Sequence, residues 1–131
     1  MRWTNLGLLQ FCLLASCGST AWSRYPHSLY GAMKAGTPEA VVAHHQLLAS
    51  VVEEHEAAGK KPPAGIAAEL AYYSHVVGKQ AMVQPSLAVE RKHYPQSAKF
   101  LALLERFLPS VPVLDPNDGK QNEKEAQRND S

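Results

Sequence analysis

Residues 37–59 read TPEAVVAHHQLLASVVEEHEAAG, and their pattern decides the fold class. Thr37 offers a side-chain oxygen as an N-cap. Pro38 suits the first helical position, where an N–H would be unpaired anyway, and Glu39 places an acid at the positive end of the helix dipole. Gly59 supplies the left-handed residue that commonly closes a helix. Between these signals, at about 100° per residue, Val41, His44, Leu48, Val51, Val52 and His55 share one face. Glu39, Gln46, Ser50 and Glu53 lie opposite. The spacing predicts an amphipathic α-helix running to Ala58, whose apolar face must be covered by other helices.

Working outward, residues 27–35 predict a shorter helix ended by Gly36. Downstream, Lys60-Lys61-Pro62-Pro63 breaks the chain. Residues 64–77 predict a third helix with Ile66, Leu70, Tyr73 and Val77 on its face and Gly78 at its end. Residues 82–94 predict a fourth, with Val83, Leu87, Arg91 and Tyr94 aligned. Pro85 falls in its first turn, where a missing N–H costs little, and Pro95 ends it. A fifth helix over 96–108 is apolar almost all round, through Phe100, Leu101, Leu103, Leu104, Phe107 and Leu108. Such a helix is either central or covered by something. After residue 108, Pro109, Pro112 and Pro116 alternate with small apolar residues, and 118–131 holds no large apolar side chain. The stretch 109–131 is therefore expected to be a disordered tail. The fold expected is all-α, with about five helices over 26–108.

The N-terminus carries a different message. Arg2 precedes a ten-residue apolar run, Leu6 to Ala15, whose end overlaps Leu14-Ala15-Ser16-Cys17. The run is too short to cross a membrane, which takes about 20 apolar residues. Charge, apolar length and small residues together predict an export signal over 1–16. The stretch Leu14-Ala15-Ser16-Cys17, which spans the end of that signal, looks like a bacterial lipobox. What lipoproteins as a class imply is a thioether-linked lipid on Cys17, palmitate among its acyl chains, and cleavage before it. Gly18, rather than Asp, favours the outer membrane by resemblance to enteric sorting, with the domain facing the periplasm. Cys12 would leave with the signal, so Cys17 would stand as a single cysteine with no internal disulfide to form. Residues 17–25 then read as a tether reaching about 30 Å at most. Trp22 and Tyr25 within it either sit at the lipid headgroups or pack on the first helix.

Composition bounds the partners. Formal net charge is +1 over 131 residues, and no Lys/Arg cluster stands out, which argues against nucleic acid. Around Gly78 the spacing resembles one tetratricopeptide unit, a helix hairpin of about 34 residues. Leu70-Ala71 take the Leu-Gly site, Gly78 the turn, Leu87 the large apolar site and Pro95 the terminating proline. Ala67, Val83 and Glu90 depart from that pattern.

From about residue 25 to 108 the chain resembles the small bacterial lipoprotein family known as domain of unknown function 4810. The resemblance rests on Ser28-Leu29-Tyr30, Pro62-Pro63-Ala64-Gly65, Ala68-Glu69-Leu70, Gly78, Glu90-Arg91-Lys92 and Tyr94-Pro95-Gln96-Ser97. The chain departs from it at Lys79 and Pro85. The resemblance implies a tetratricopeptide-like lipoprotein without known enzymatic activity. It also implies a partner in another outer-membrane lipoprotein, such as a curli-export-pore-like protein.

No residue set predicts a catalytic, cofactor or metal site. His44 and His45 are adjacent and point about 100° apart. His44 and His55 share a face but lie about 16 Å apart along the axis, so neither pair has the i, i+4 spacing of a helical metal site. Glu53, Glu54 and Glu56 look like a solvated helix end. Cys17 is the one residue given a definite role. The function expected is a non-enzymatic helical adaptor, held at the outer membrane by lipid. The alternatives are a lipoprotein regulator of peptidoglycan synthesis, and a cell-wall hydrolase using Glu53 or Glu90.

Overall fold

The computed structural model describes residues 20–115, which are all-α. The export signal expected over 1–16, Cys17 and residues 116–131 lie outside the described residues. Five helices follow one another: α1 (Thr20–Ala35), α2 (Pro38–Ala57), α3 (Ile66–Val76), α4 (Val83–His93) and α5 (Ala98–Phe107). Helix α1 packs along α2, α3 packs along α4, and α2 lies against α3.

The punctuation read from residues 37–59 is what the chain uses. Thr37 is extended, and its hydroxyl oxygen accepts from the Ala40 N–H at 3.3 Å. At the other end Gly59 takes φ 65°, and the N–H groups of Gly59 and Lys60 donate to the carbonyls of Glu56 and His55. Gly78 repeats the device after α3 at φ 76°, with Gly78 and Lys79 donating to His75 and Ser74. Both are Schellman closures, in which a residue with a Cβ would be strained.

Two expectations about the ends change. The first helix begins at Thr20, not at residue 27, so residues 20–25 belong to the domain and not to a tether. Pro26 marked the boundary in the sequence because a helix-interior proline costs about 3 kcal/mol. Here the helix continues through it, and the residues before it reach the interior. Ala21 is fully buried, and Tyr25 packs against the same core. At the far end, residues 109–115 are not a free tail. Leu108–Ser110 form a short 3-10 turn. The chain then folds back on α3, with the Leu114 N–H donating to the Val76 carbonyl at 2.8 Å and the His75 ring to the Val111 carbonyl at 2.8 Å.

Helix α3 divides the core. One cluster gathers Ala21, Leu47, Leu48, Val51, Val52, Ile66, Ala67 and Leu70 from α1, α2 and α3. A second gathers Ala68, Ala71, Val83, Leu87, Leu101 and Leu108 from α3, α4 and the α5 region. The alanines of α3 let helices approach from both sides. Each fully buried leucine, Leu48, Leu87 and Leu101, contributes about 1.5–3 kcal/mol.

The expected faces are right in part. On α2 the buried set is His44, His45, Leu47, Leu48, Val51 and Val52. It is wider than one stripe because α1 and α3 cover two sides of the helix. On α4, Glu90 continues the stripe of Val83 and Leu87, while Arg91 is exposed and ion-paired to Glu105 of α5 at 2.7 Å.

Candidate functional site

Three features could carry function, and each is built from named side chains. The first is a polar cluster joining α1, α2 and α3. The Tyr25 hydroxyl donates to one oxygen of Glu69 at 2.8 Å, and His44 Nε2 meets the other at 2.8 Å. A carboxylate only accepts, so Nε2 carries a proton. With the ring neutral, Nδ1 then accepts from the Ser28 hydroxyl at 2.9 Å. His44 is wholly buried, and its ring meets Tyr73 edge-on at 4.9 Å between centroids. Burial, followed by the bond to Glu69, pushes the Tyr25 phenol up to about 12. The Tyr73 phenol is raised by burial and then by the Glu69 charge. Trp22 stacks on Tyr25 at 5.0 Å and is 40% exposed. Of the two roles open to these aromatics, Tyr25 takes the one inside the fold.

A serine, a histidine and a carboxylate in line invite comparison with a nucleophilic triad. The order of contacts is formally that of a relay, but the surroundings differ from one. Ser28 lies in the middle of α1, where backbone N–H groups belong to the helix ladder rather than to an oxyanion hole. What the cluster does chemically is satisfy one buried and one partly buried donor with one carboxylate, pinning α1 and α2 to α3.

The second feature is an open groove of about 760 Å³ between α1 and α2, with Ser23, Arg24, His27, Ser28, Gln46 and Ser50 on its walls. Neither Glu53 nor Glu90 lines it. Glu53 is exposed on α2, and Glu90 is almost fully buried on α4. One Glu90 oxygen accepts from the Gly65 N–H at 2.9 Å, at the start of α3. The other has no hydrogen-bond partner among the described residues. Glu90 therefore caps a helix from a distance.

The histidines follow the same logic. His45 Nε2 lies 3.1 Å from the Ser74 hydroxyl. Its pKa is lowered by burial, then by the charges of Lys79 and His44. Glu56 at the end of α2 pairs with Lys92 at 3.2 Å and with His93, and these bonds, that from His93 first, hold its carboxyl below its usual range. Among the described residues no three His, Cys, Asp or Glu side chains converge as metal ligands do.

The third feature is the outer face of α5. Leu101 is fully buried and Leu104 partly so. Phe100, Leu103 and Phe107 are 56%, 63% and 56% exposed. At about 100° per residue these three form one continuous stripe. Of the two fates open to an apolar fifth helix, only one side is central. The other is exposed among the described residues.

Residues 21–104 match the family profile described as a domain of unknown function, DUF4810. The chain belongs to that family. No curated protein and no solved structure matches it. The DUF4810 match opens at Ala21, the first buried residue of α1, and closes at Leu104 on α5. Within it, the residues that carried the resemblance join helices to one another. Ser28 and Glu69 belong to the polar cluster, and Glu90 caps α3. Arg91 and Lys92 pair with Glu105 and Glu56, and the Tyr94 hydroxyl donates to the Pro62 carbonyl at 2.7 Å. Sequence reasoning missed the cluster of Tyr25, His44 and Glu69. Glu69, three residues after Ile66 on a largely apolar helix, was the visible signal: a carboxylate beside a buried face needs donors.

Proposed function

We propose that this chain is a lipid-anchored helical adaptor at the outer membrane, a non-enzymatic component of an assembly with another outer-membrane lipoprotein of the export-pore kind. The observation that carries this reading is the uncovered stripe of Phe100, Leu103 and Phe107. Monomeric domains rarely leave large apolar patches exposed unless something covers them. The pairing of α1 with α2 and of α3 with α4, with Gly78 at a turn and Leu87 in the core, supports a tetratricopeptide-like array.

Other features agree. No described helix is long and apolar enough to cross a membrane, so Cys17, behind its apolar leader, is the attachment point proposed. With α1 starting at Thr20, the span from Cys17 to the domain is about 10 Å at full extension. A domain so tied works at the membrane surface and does not reach across the periplasm. The short span therefore favours an adaptor over a regulator of synthases at the inner membrane.

Two measurements test the proposal. Metabolic labelling with palmitate should mark the native chain and be lost in Cys17→Ala. Labelling that persists in the variant overturns the anchor. A photo-crosslinking residue placed at Leu103 should give an adduct with another membrane lipoprotein in intact cells, while the same residue at exposed Lys61 should not. Absence of any adduct specific to position 103 overturns the docking face.

A further inference from the structure

We propose that the α5 face takes an amphipathic helix of a partner protein whose flank is acidic, so that the partner supplies the missing half of a third helix pair. This rests on the adaptor reading and adds the chemistry of what docks. The array itself points to a helix. Helices α1 and α2 form one pair and α3 and α4 a second. Helix α5 opens a third, but the described chain after it makes only a 3-10 turn and an extended return onto α3.

The edge of the stripe defines the partner's charge. Around α5 the order runs from buried Leu101 through half-buried Leu104 to exposed Phe100, Phe107 and Leu103, and then to Lys99 and Arg106. Those two cations stand seven residues apart, two turns on one edge. Both are exposed, and neither makes an ion pair among the described residues. The one acid of α5, Glu105, is already bound to Arg91. An apolar seam bordered by two available cations complements a helix with an apolar stripe and Glu or Asp along one edge.

The other occupants complement it less well. Residues 116–131 contain no large apolar side chain to lay on Phe100 or Phe107. Residues 1–16 are apolar but hold no Asp or Glu, and their one charge is Arg2. A second copy of α5 laid antiparallel on the same face would set like cations beside one another, with no free acid between them.

The test uses the full chain carrying Cys17→Ala, so that no lipid contributes. The probes are two synthetic amphipathic peptides with the same leucine stripe, one edged with Glu and the other with Lys. The Glu-edged peptide should bind about tenfold more tightly. The double change Lys99→Glu and Arg106→Glu should invert that preference, and Phe107→Ser should weaken both peptides. Circular dichroism matching the native chain shows that the variants fold, since all three positions are exposed. Equal binding of the two peptides, or binding of neither, overturns the proposal. So does a dimer of the peptide-free chain that Leu103→Asp dissolves, because a second copy is then the occupant. Binding to phosphatidylglycerol vesicles that Leu103→Asp abolishes also overturns it, in favour of a lipid surface. Adducts from position 103 in cells together with equal peptide binding would leave the adaptor standing and remove the acidic helix.

Discussion

Glu69→Ala should be among the most costly single changes on the polar side of this domain. The carboxylate accepts from the Tyr25 hydroxyl and from His44 Nε2, each at 2.8 Å. Removing it leaves two donors in a site where His44 is wholly buried. A hydrogen bond to a charged group contributes about 1.5–3 kcal/mol net. The Glu69 side chain is 22% exposed, so water replaces part of what is lost, and the lower end applies to each bond. The expected loss is about 3 kcal/mol. For a domain of this size each kcal/mol lowers Tm by about 4–8 °C, so the melt should fall by roughly 15 °C. Far-UV circular dichroism at neutral pH reads it directly. A double-mutant cycle isolates the contact: Tyr25→Phe alone should cost about 1.5 kcal/mol and almost nothing when Glu69 is already Ala. A Glu69→Ala loss under about 1 kcal/mol, or a strictly additive cycle, would refute the view that this carboxylate ties α1 and α2 to α3.

Other outcomes follow from single sites. Because burial lowers the His45 pKa in the folded state, the unfolded chain binds its proton more readily. The His45 contribution is complete above about pH 6.5 and falls away as pH drops through the folded value, so the urea midpoint should decline in acid, and less so in His45→Gln. Gly78→Ala forces a Cβ into φ 76° and should cost about 1 kcal/mol, measured by urea titration. Leu87→Ala, fully buried between α3 and α5, should cost about 2–5 kcal/mol by the same titration. Glu90→Ala should lower Tm by several degrees through the lost cap on Gly65; an unchanged melt would remove its capping role.

Helix number and most helix ends were legible because they depend on local chemistry. Thr37, Pro38, Gly59 and Gly78 act within one turn of where they stand, so their meaning survives without tertiary context. Besides the polar cluster, three features of the fold were not legible, and each has a non-local cause. Helix α1 runs through Pro26, and its first turn is held by packing on α2 and α3 that no local pattern records. Residues 109–115 lack apolar periodicity but dock through their own backbone, to the Val76 carbonyl and to the His75 ring, for which their side-chain composition gives no sign. On α4, a stripe drawn through Arg91 and Tyr94 fits the helical period about as well as one drawn through Glu90. The choice is made by the Gly65 N–H, which arrives from 25 residues away. The α5 face was legible as a question, since an apolar helix must be covered, and the structure shows which side is not.

The division of the core by α3 has a consequence for cooperativity. Both clusters draw on the same eleven residues of α3, so neither half can loosen without disturbing a wall of the other. An occupant on α5 that steadies Leu101 and Leu108 would steady Ala68 and Ala71, and through the same backbone Ala67 and Leu70. Amide hydrogen exchange in α1, at the far end of the array, should then slow when α5 is occupied. A domain of this construction would report an event on its last helix through the rigidity of its first.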